Sequence, residues 1–278
     1  MIGIFGQTRE DVATLLDNVE VVNRKTIGSM RIYNVTYNGN SFYIIVTGVG
    51  KANVAFSLGY ALTKLCIKKV IVVGNTASLE SVTAPIGTVA IATNSIEWDV
   101  NFINLGYPAN VVPGNNVSQY PTDASLQRLA LESSTGLGYT TNTGLFASGD
   151  TFVASGAQSE QINTATGALF LDIDTAPIGQ ISYQMNIPYI SVKGISNYAN
   201  ENAITDYNAN RLAANNLSNR VVLEMLDTFF EEDDDLFCEG EDTTTNGTTF
   251  TTIACPCNQR NIWNNNGCCS NTFWNWFW

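Results

Sequence analysis

Two carboxylates at the end of one apolar strand are the first residues in this chain whose types and spacing suggest chemistry. Asp172 and Asp174 stand one residue apart where the apolar stretch Leu169–Asp172 ends. A core without a chemical role avoids such a pair, because burying an unpaired carboxylate is costly. We therefore expect Asp174 to belong to a site. The alternative is that it caps a helix that begins near Thr175.

The absence of histidine limits what any site can do. None of the 278 residues is histidine, which excludes Ser-His-Asp and Cys-His nucleophile pairs, His-ligated zinc and His-based proton shuttles. A general acid or base must be a carboxyl, amine, phenol or thiol. The 13 basic and 25 acidic residues give a formal charge of −12, which argues against nonspecific binding to nucleic acid or to anionic lipid.

Short apolar strands alternate with segments of helical period up to about residue 230, and this pattern predicts an α/β domain. The predicted strands are 2–5, 30–37, 41–47, 70–73, 88–92, 169–172 and 189–192. The predicted helices are 51–66, 122–133, 175–185 and 207–230. Cys66 falls within the apolar pattern of the first helix and is expected to be buried. The last helix has a predicted apolar face made of Leu212, Leu217, Val221, Leu223, Leu226 and Phe230.

The composition changes at the acidic run 231–235, which predicts a domain of residues 1–230 followed by a tail, 231–278. The tail ends in the aromatic cluster 273–278 and holds five of the six cysteines, namely Cys238, Cys255, Cys257, Cys268 and Cys269. Their spacing lacks the paired C-x₂-C pattern of a zinc site. A disulfide-stapled tail is the better interpretation, with one thiol left free or bridged to another subunit, and it favours an oxidising compartment.

Apolar runs, the N-terminal stretch and glycosylation sequons bear on the location of the protein. No apolar run approaches the roughly 20 residues needed to cross a bilayer, and the stretch 1–6 lacks the features of a signal peptide. Sequons begin at Asn34, Asn116, Asn216 and Asn246. With the tail cysteines they favour an extracellular or lumenal destination, against which stands the missing N-terminal signal.

Six short motifs resemble the nucleoside phosphorylase family, and most closely its methylthioadenosine and S-adenosylhomocysteine nucleosidases. They are Gly3–Gly6 with Glu10–Val12, Thr47–Ala52, Gly74–Leu79, Ser148–Phe152, Leu171–Ala176 and Lys193–Asn197. The resemblance covers residues 1–230 and implies a three-layer α/β/α domain with a central mixed sheet. It further implies a homo-oligomer that cleaves the glycosidic bond of purine nucleosides with no metal or cofactor.

The resemblance assigns roles to two acidic residues. Asp11 takes the place of the family's water-activating Glu, and Asp174 that of the Glu that binds the ribose 2′- and 3′-hydroxyls. Each side chain is one methylene shorter, which moves its carboxylate by about 1.5 Å. Ile173 replaces the family's Met against the sugar. The alternative for Asp11 is a solvated side chain in a first helical turn, stabilised by the helix dipole.

The base-binding positions depart further from the family. Asn197 replaces an Asp that delivers a proton to the purine N7, and an amide has no acidic proton at neutral pH. The change either shifts preference toward 6-oxopurines or silences the site. Phe152 is expected to stack on the purine, with Val153 and Ser196 beside it; alternatively Phe152 is part of the core. Asn75, in a stretch that has lost glycines of the family, completes the predicted substrate-binding set.

Two hypotheses about function follow. The basic residues favour hydrolysis over phosphorolysis, because no set of arginines is suited to holding phosphate. Arg9 could pair with Asp11, and Lys193 replaces a family Arg. The first hypothesis is therefore a purine nucleosidase that works by hydrolysis. The second is a catalytically silent structural protein that assembles into oligomers or filaments through its C-terminal tail.

Overall fold

A single sheet of eleven strands forms the centre of the domain. A computed structural model describes residues 1–79, 84–234, 242–245 and 248–251. The strands are β1 (Ile2–Gly6), β2 (Glu20–Ile27), β3 (Met30–Tyr37), β4 (Asn40–Val46), β5 (Lys69–Val72), β6 (Asn75–Ser78), β7 (Val89–Glu97), β8 (Gln119–Pro121), β9 (Thr141–Ser148), β10 (Phe170–Asp172) and β11 (Tyr189–Tyr198). Their order in the sheet is β2-β3-β4-β1-β5-β11-β6-β10-β9-β7-β8, with a further pairing of β11 with β7.

The sheet is mixed. The central pairs β4–β1, β1–β5, β5–β11 and β11–β6 are parallel, whereas β6–β10, β2–β3, β3–β4 and β7–β8 are antiparallel. The helices are α1 (Ala13–Asp17), α2 (Lys51–Lys64), α3 (Ala124–Gly136), α4 (Gly156–Thr166), α5 (Thr175–Met185) and α6 (Ala203–Asp234).

Alternation along the buried central strands creates two apolar faces. In β1, Ile2 and Ile4 join the core with α1, α3 and α6, while Phe5 joins the core with α2 and α5. In β5, Ile71 and Val72 divide between the same two cores. Successive strand side chains point to opposite faces, so a central strand that is apolar throughout needs helices on both sides. The predicted three-layer α/β/α class with a central mixed sheet is confirmed.

Helix α6 lies against β11 at a glycine. A Cβ added to Gly194 would lie 2.0 Å from the backbone oxygen of Ala214, so only glycine permits this approach. The contact places the polar side chains of α6 beside the ends of the central strands.

Several elements differ from the predictions. Strand β11 continues past residue 192 to Tyr198, and α6 begins four residues before the predicted start. Strands β2, β6, β8 and β9 and helix α4 were missed, because they lack a clear apolar period; β2, for example, is exposed along nearly its whole length. Two placements were wrong: Leu212, 56% exposed, is not on the apolar face of α6, and Cys66 lies half-buried beyond the end of α2 with φ of 53°.

The chain divides into two compact units, Met1–Glu231 and Glu232–Trp278. In the second unit, β12 (Asp242–Thr245) and β13 (Thr248–Thr251) pair as antiparallel strands. The five tail cysteines and the aromatic cluster 273–278 lie outside the described residues, so their disulfide and docking roles stay predictions. Within the described part of the chain, no helix combines the length and apolarity needed to cross a bilayer.

Candidate active site

A cavity opens where β1, β4, β10 and β11 end. This is the position at which open α/β sheets bind ligands. The cavity holds about 720 Å³ of space, counting its open mouth. Its lining includes six residues at positions predicted from the sequence, namely Asp11, Asn75, Phe152, Val153, Ile173 and Asn197. The other lining residues are Gln7, Thr8, Val49, Thr76, Ala77, Thr151, Leu171, Asp172, Lys193 and Tyr207.

Asp11 is buried at this cavity, with 8% of its surface exposed, so the alternative of a solvated side chain is wrong. It lies in the 3₁₀ turn Glu10–Val12 that follows β1. Its Oδ2 accepts from the Thr8 backbone N–H at 2.8 Å, and its own N–H donates to Thr8 Oγ1 at 3.3 Å. Burial raises the pKa of Asp11, and the charge of Lys193 opposes that rise. The predicted pairing with Arg9 is not formed; the ion pair of this turn joins Arg211 to Glu10 at 3.1 Å.

Helix α6 supports Asp11 through buried amides that the sequence analysis missed. Asn219 donates from Nδ2 to the Asp11 backbone oxygen at 2.7 Å, and its Oδ1 accepts from the Leu15 N–H at 3.1 Å. Asn215 accepts from Asn75 Nδ2 at 2.9 Å, and the same Nδ2 lies 3.5 Å from Asp11 Oδ1. Asparagines inside a helix that also has an apolar face were the available signal, because buried amides require partners.

Asp174 forms a buried ion pair instead of facing the cavity. Lys193 Nζ donates to both carboxylate oxygens of Asp174, at 2.9 and 2.8 Å, and to the Val73 backbone oxygen at 2.9 Å. Burial lowers the pKa of Lys193, but the charges of Asp174 and Asp172 outweigh it and the net direction is upward. The alternative helix-capping role is wrong, because the Asp174 side chain makes no capping hydrogen bond. Lys193 borders the cavity, whereas Asp174 is not among the lining residues.

Asp172 is the carboxylate of the pair that borders the cavity. Its Oδ1 accepts from Ser148 Oγ at 2.5 Å and from the Thr175 N–H at 3.3 Å, and its Oδ2 contacts Thr175 Oγ1. Burial, and then the charge of Asp174, raises the pKa of Asp172 to about 7. The side chain is therefore partly protonated at neutral pH. Its sequence context does not distinguish Asp172 from Asp174.

A bulge in β11 directs Asn197 to the cavity. The register with β6 shifts between Ile195 and Asn197, which leaves Ser196 as an extra residue; bulges commonly re-aim side chains next to active sites. Ser196 is fully buried. Its single hydroxyl proton donates to Asn197 Oδ1 at 2.7 Å, and the same oxygen lies 3.2 Å from Asn75 Oδ1 and 3.3 Å from the Thr76 backbone oxygen. Asn197 Nδ2 donates one bond, to the Tyr198 oxygen at 3.1 Å. Ser196 thus links the two amides and is not itself a lining residue.

The aromatic wall of the cavity consists of Phe152 and Tyr207. Phe152 is 49% exposed, so the alternative that it belongs to the core is wrong. Its ring meets the Tyr207 ring edge-on, with the centroids 5.6 Å apart. Val153 is buried beneath, and Ile173 is partly exposed on the same lining. This wall offers a flat ligand an aromatic face and aliphatic edges.

An ion-pair cluster fixes the cavity's mouth. Lys51 Nζ lies 2.8 Å from Glu97 and 2.7 Å from Asp99, and its backbone N–H donates to Asp150 at 2.8 Å. Lys51 opens α2, directly after the loop that carries Val49, and Asp150 precedes the lining residue Thr151. The cluster therefore ties together two loops that border the cavity.

Comparisons with known proteins agree with this geometry. The family model described as "Phosphorylase superfamily" matches residues 1–229. The 5′-methylthioadenosine/S-adenosylhomocysteine nucleosidase of Buchnera aphidicola is 26% identical over 230 residues, which are 81% of this chain and 95% of that protein. The resemblance inferred from the motifs is confirmed.

Solved structures show the same fold. The corresponding nucleosidase of Neisseria meningitidis, in complex with methylthio-immucillin-A, has a TM-score of 0.78 and 23% identity, covering 82% of this chain and 98% of that one. The futalosine hydrolase of Helicobacter pylori has a TM-score of 0.78 and 22% identity, covering 82% and 97%. The chain belongs to the phosphorylase superfamily.

Proposed function

We propose that this protein cleaves the N-glycosidic bond of purine nucleosides by hydrolysis. The observation that carries the proposal is that the Asp11 carboxylate and the Asn197 amide border one cavity of this fold and are linked through Asn75 and Ser196. The cavity also has the aromatic wall that a purine requires. The Buchnera aphidicola protein named above supports the proposal, because its name describes a nucleosidase.

Asp11 acts as the base that orients and activates water. Glycosidic cleavage passes through an oxocarbenium-like state in which the sugar becomes positive and the leaving base negative. A buried carboxylate can accept a proton from the attacking water, and its negative charge stabilises the positive sugar. Since burial raises the pKa of Asp11, kcat/KM should increase with pH through an ionisation above the ordinary aspartate range.

Asn197 stabilises the leaving base by hydrogen bonding. Its Oδ1 is taken by Ser196 and one of its two N–H groups by Tyr198; the second can point to a ligand in the cavity. A single neutral donor suits a base that leaves as an anion held by hydrogen bonds, as a 6-oxopurine can. Adenine, which gains more from protonation, should leave more slowly. The substrate we favour is thus a 6-oxopurine nucleoside, with Phe152 against the base.

Water, not phosphate, is the acceptor. Lys193 is the single cation among the described residues that line the cavity. An ammonium has three donors, and those of Lys193 are directed to Val73 and to both oxygens of Asp174. None remains for an anion. Asp174 then acts as a positioning residue that holds Lys193 in place, and ribose hydroxyls contact the lining around Ile173.

The test is release of free base from inosine, guanosine, adenosine and methylthioadenosine, with and without phosphate. We expect release without phosphate, fastest from the 6-oxopurine nucleosides. Asp11→Asn should lower the rate about 10²–10⁴-fold, the usual loss when a general base is removed. Asp17→Asn, the same change on the exposed end of α1, should leave it unchanged. No release from any nucleoside refutes the proposal and favours the silent structural alternative.

A further inference from the structure

Gln7 carries an unsatisfied polar atom at the cavity. It follows β1 directly and lines the cavity. Its Oε1 is buried, with no hydrogen-bond partner in the described part of the chain. Nearly all buried polar atoms in proteins are paired, and an unpaired one costs about 1–3 kcal/mol. The backbone at Gln7 is fixed, because the Gly48 N–H donates to its oxygen at 2.9 Å. A bound ligand is the partner that this site lacks.

The position of Gln7 indicates which part of the ligand it meets, given the proposed function. The base then lies at Phe152 and Asn197, and the sugar carbon that loses it lies at Asp11. Only β5 separates β1 from β11, so Gln7 is about 10 Å across the sheet from the strand that carries Asn197. That span matches a nucleoside measured from its base to its C5′ substituent. Gln7 therefore meets the substituent on C5′.

The chemistry around Gln7 favours a hydroxyl on that carbon. A hydroxyl both donates and accepts, so it pairs with the glutamine amide in either orientation. Thr8 is next to Gln7; its Oγ1 accepts from Asp11, which leaves the Thr8 hydroxyl proton free to donate. Tyr207 supplies a third polar group to the lining. A thioether at C5′ donates no hydrogen bond and would leave Gln7 unsatisfied.

We propose that Gln7 is a specificity-determining residue that recognises the ribose 5′-hydroxyl and disfavours 5′-alkylthio nucleosides. Sites built to bind a hydroxyl discriminate strongly against analogues that lack it, because the site's polar group is then left unpaired. This chain would differ in that respect from the similar proteins whose names specify 5′-methylthioadenosine.

The test compares kcat/KM for inosine with that for 5′-methylthioinosine, and for adenosine with that for methylthioadenosine. We expect the native chain to prefer each 5′-hydroxyl substrate by about tenfold or more. Gln7→Met keeps the side-chain length and removes the amide. It should lower kcat/KM for inosine and move the ratio toward the methylthio substrate. Gln161→Met, on the exposed surface of α4, should change neither value.

Calorimetric binding of inosine and 5′-deoxyinosine gives a readout that does not need turnover. Tighter binding of inosine without base release would support the role of Gln7 while refuting the proposed cleavage. Cleavage with equal or greater preference for the methylthio substrates would overturn the role of Gln7 and leave the cleavage standing. If neither ligand binds and no nucleoside is cleaved, both proposals fail. Because the native preference is measured on its own, an unfolded Gln7→Met variant does not prevent the test.

Discussion

Asp172 should make the protein less stable as the pH rises from 5 to 8, and Asp172→Asn should remove that loss. Burial raises the pKa of Asp172 from the ordinary 3.8 to about 7. An acid whose pKa is higher in the folded state stabilises the fold at low pH, and this contribution disappears as the pH rises through the folded-state value. Asparagine has the donor and acceptor pattern of the protonated carboxyl, so it can keep the bonds to Ser148 and Thr175 without a charge.

The size of the effect follows from the two pKa values. At 1.36 kcal/mol per unit, a shift from 3.8 to about 7 corresponds to about 4 kcal/mol when the carboxylate is fully ionised. Part of this is already lost at pH 5, because the unfolded chain is ionised there. The remaining change between pH 5 and pH 8 is about 2–3 kcal/mol. This is an upper limit, since the neighbouring Asp174 and Lys193 adjust to the charge.

Urea unfolding at pH 5, 6, 7 and 8 measures the difference in unfolding free energy between Asp172→Asn and the native chain. We expect this difference to shift in favour of the variant by about 2 kcal/mol over that range. Asp17→Asn, which replaces an exposed carboxylate, should show no such trend. A difference that stays constant with pH, or that grows in favour of the native chain, would refute the reasoning.

Three further predictions concern the side chains around the cavity. Lys193→Met should destabilise the domain by about 3–5 kcal/mol in urea unfolding, because it leaves Asp174 charged and buried without a partner; adding Asp174→Leu should recover most of the loss, and no recovery would argue against the pair. Asn219→Ala should lower the rate of base release about tenfold, since a small misplacement of the general base is costly. Asn216→Ala, three residues earlier on α6, should not, and equal effects would contradict a positioning role. Asn197→Asp should raise adenine release from adenosine by about 10²–10⁴ at low pH, whereas an unchanged rate would show that base protonation is not limiting.

The parts of the fold that were predicted correctly are those with a strong apolar period. Strand β3 and helix α5 were predicted with their observed bounds, because the apolar pattern of each segment begins and ends clearly in the sequence. Strand β6, whose sequence is Asn-Thr-Ala-Ser, has no apolar period. It forms because the neighbouring strands β11 and β10 supply its hydrogen bonds. That is a tertiary effect, and local sequence does not contain it.

The candidate site likewise has a part that the sequence motifs predicted and a part that depends on tertiary contacts. The motifs placed Asp11 and Asn197 at one cavity, because Asp11 follows β1, Asn197 lies near the end of β11, and these two strand ends meet at one edge of the sheet. The sequence did not predict that Asp172 borders the cavity while Asp174 pairs with Lys193. Which of Asp172 and Asp174 meets Lys193 depends on the turn between β10 and α5 and on side chains from distant strands. The support that Asn219 gives to Asp11 joins residues 208 positions apart, beyond the reach of any spacing rule.

Incubation of the full chain with inosine, followed by chromatographic measurement of hypoxanthine, tests the central claim most directly. The account predicts hypoxanthine and free ribose in equal amounts without added phosphate, at a rate that falls at least about 10²-fold in Asp11→Asn. The absence of hypoxanthine, or its release at the same rate by both proteins, would contradict it.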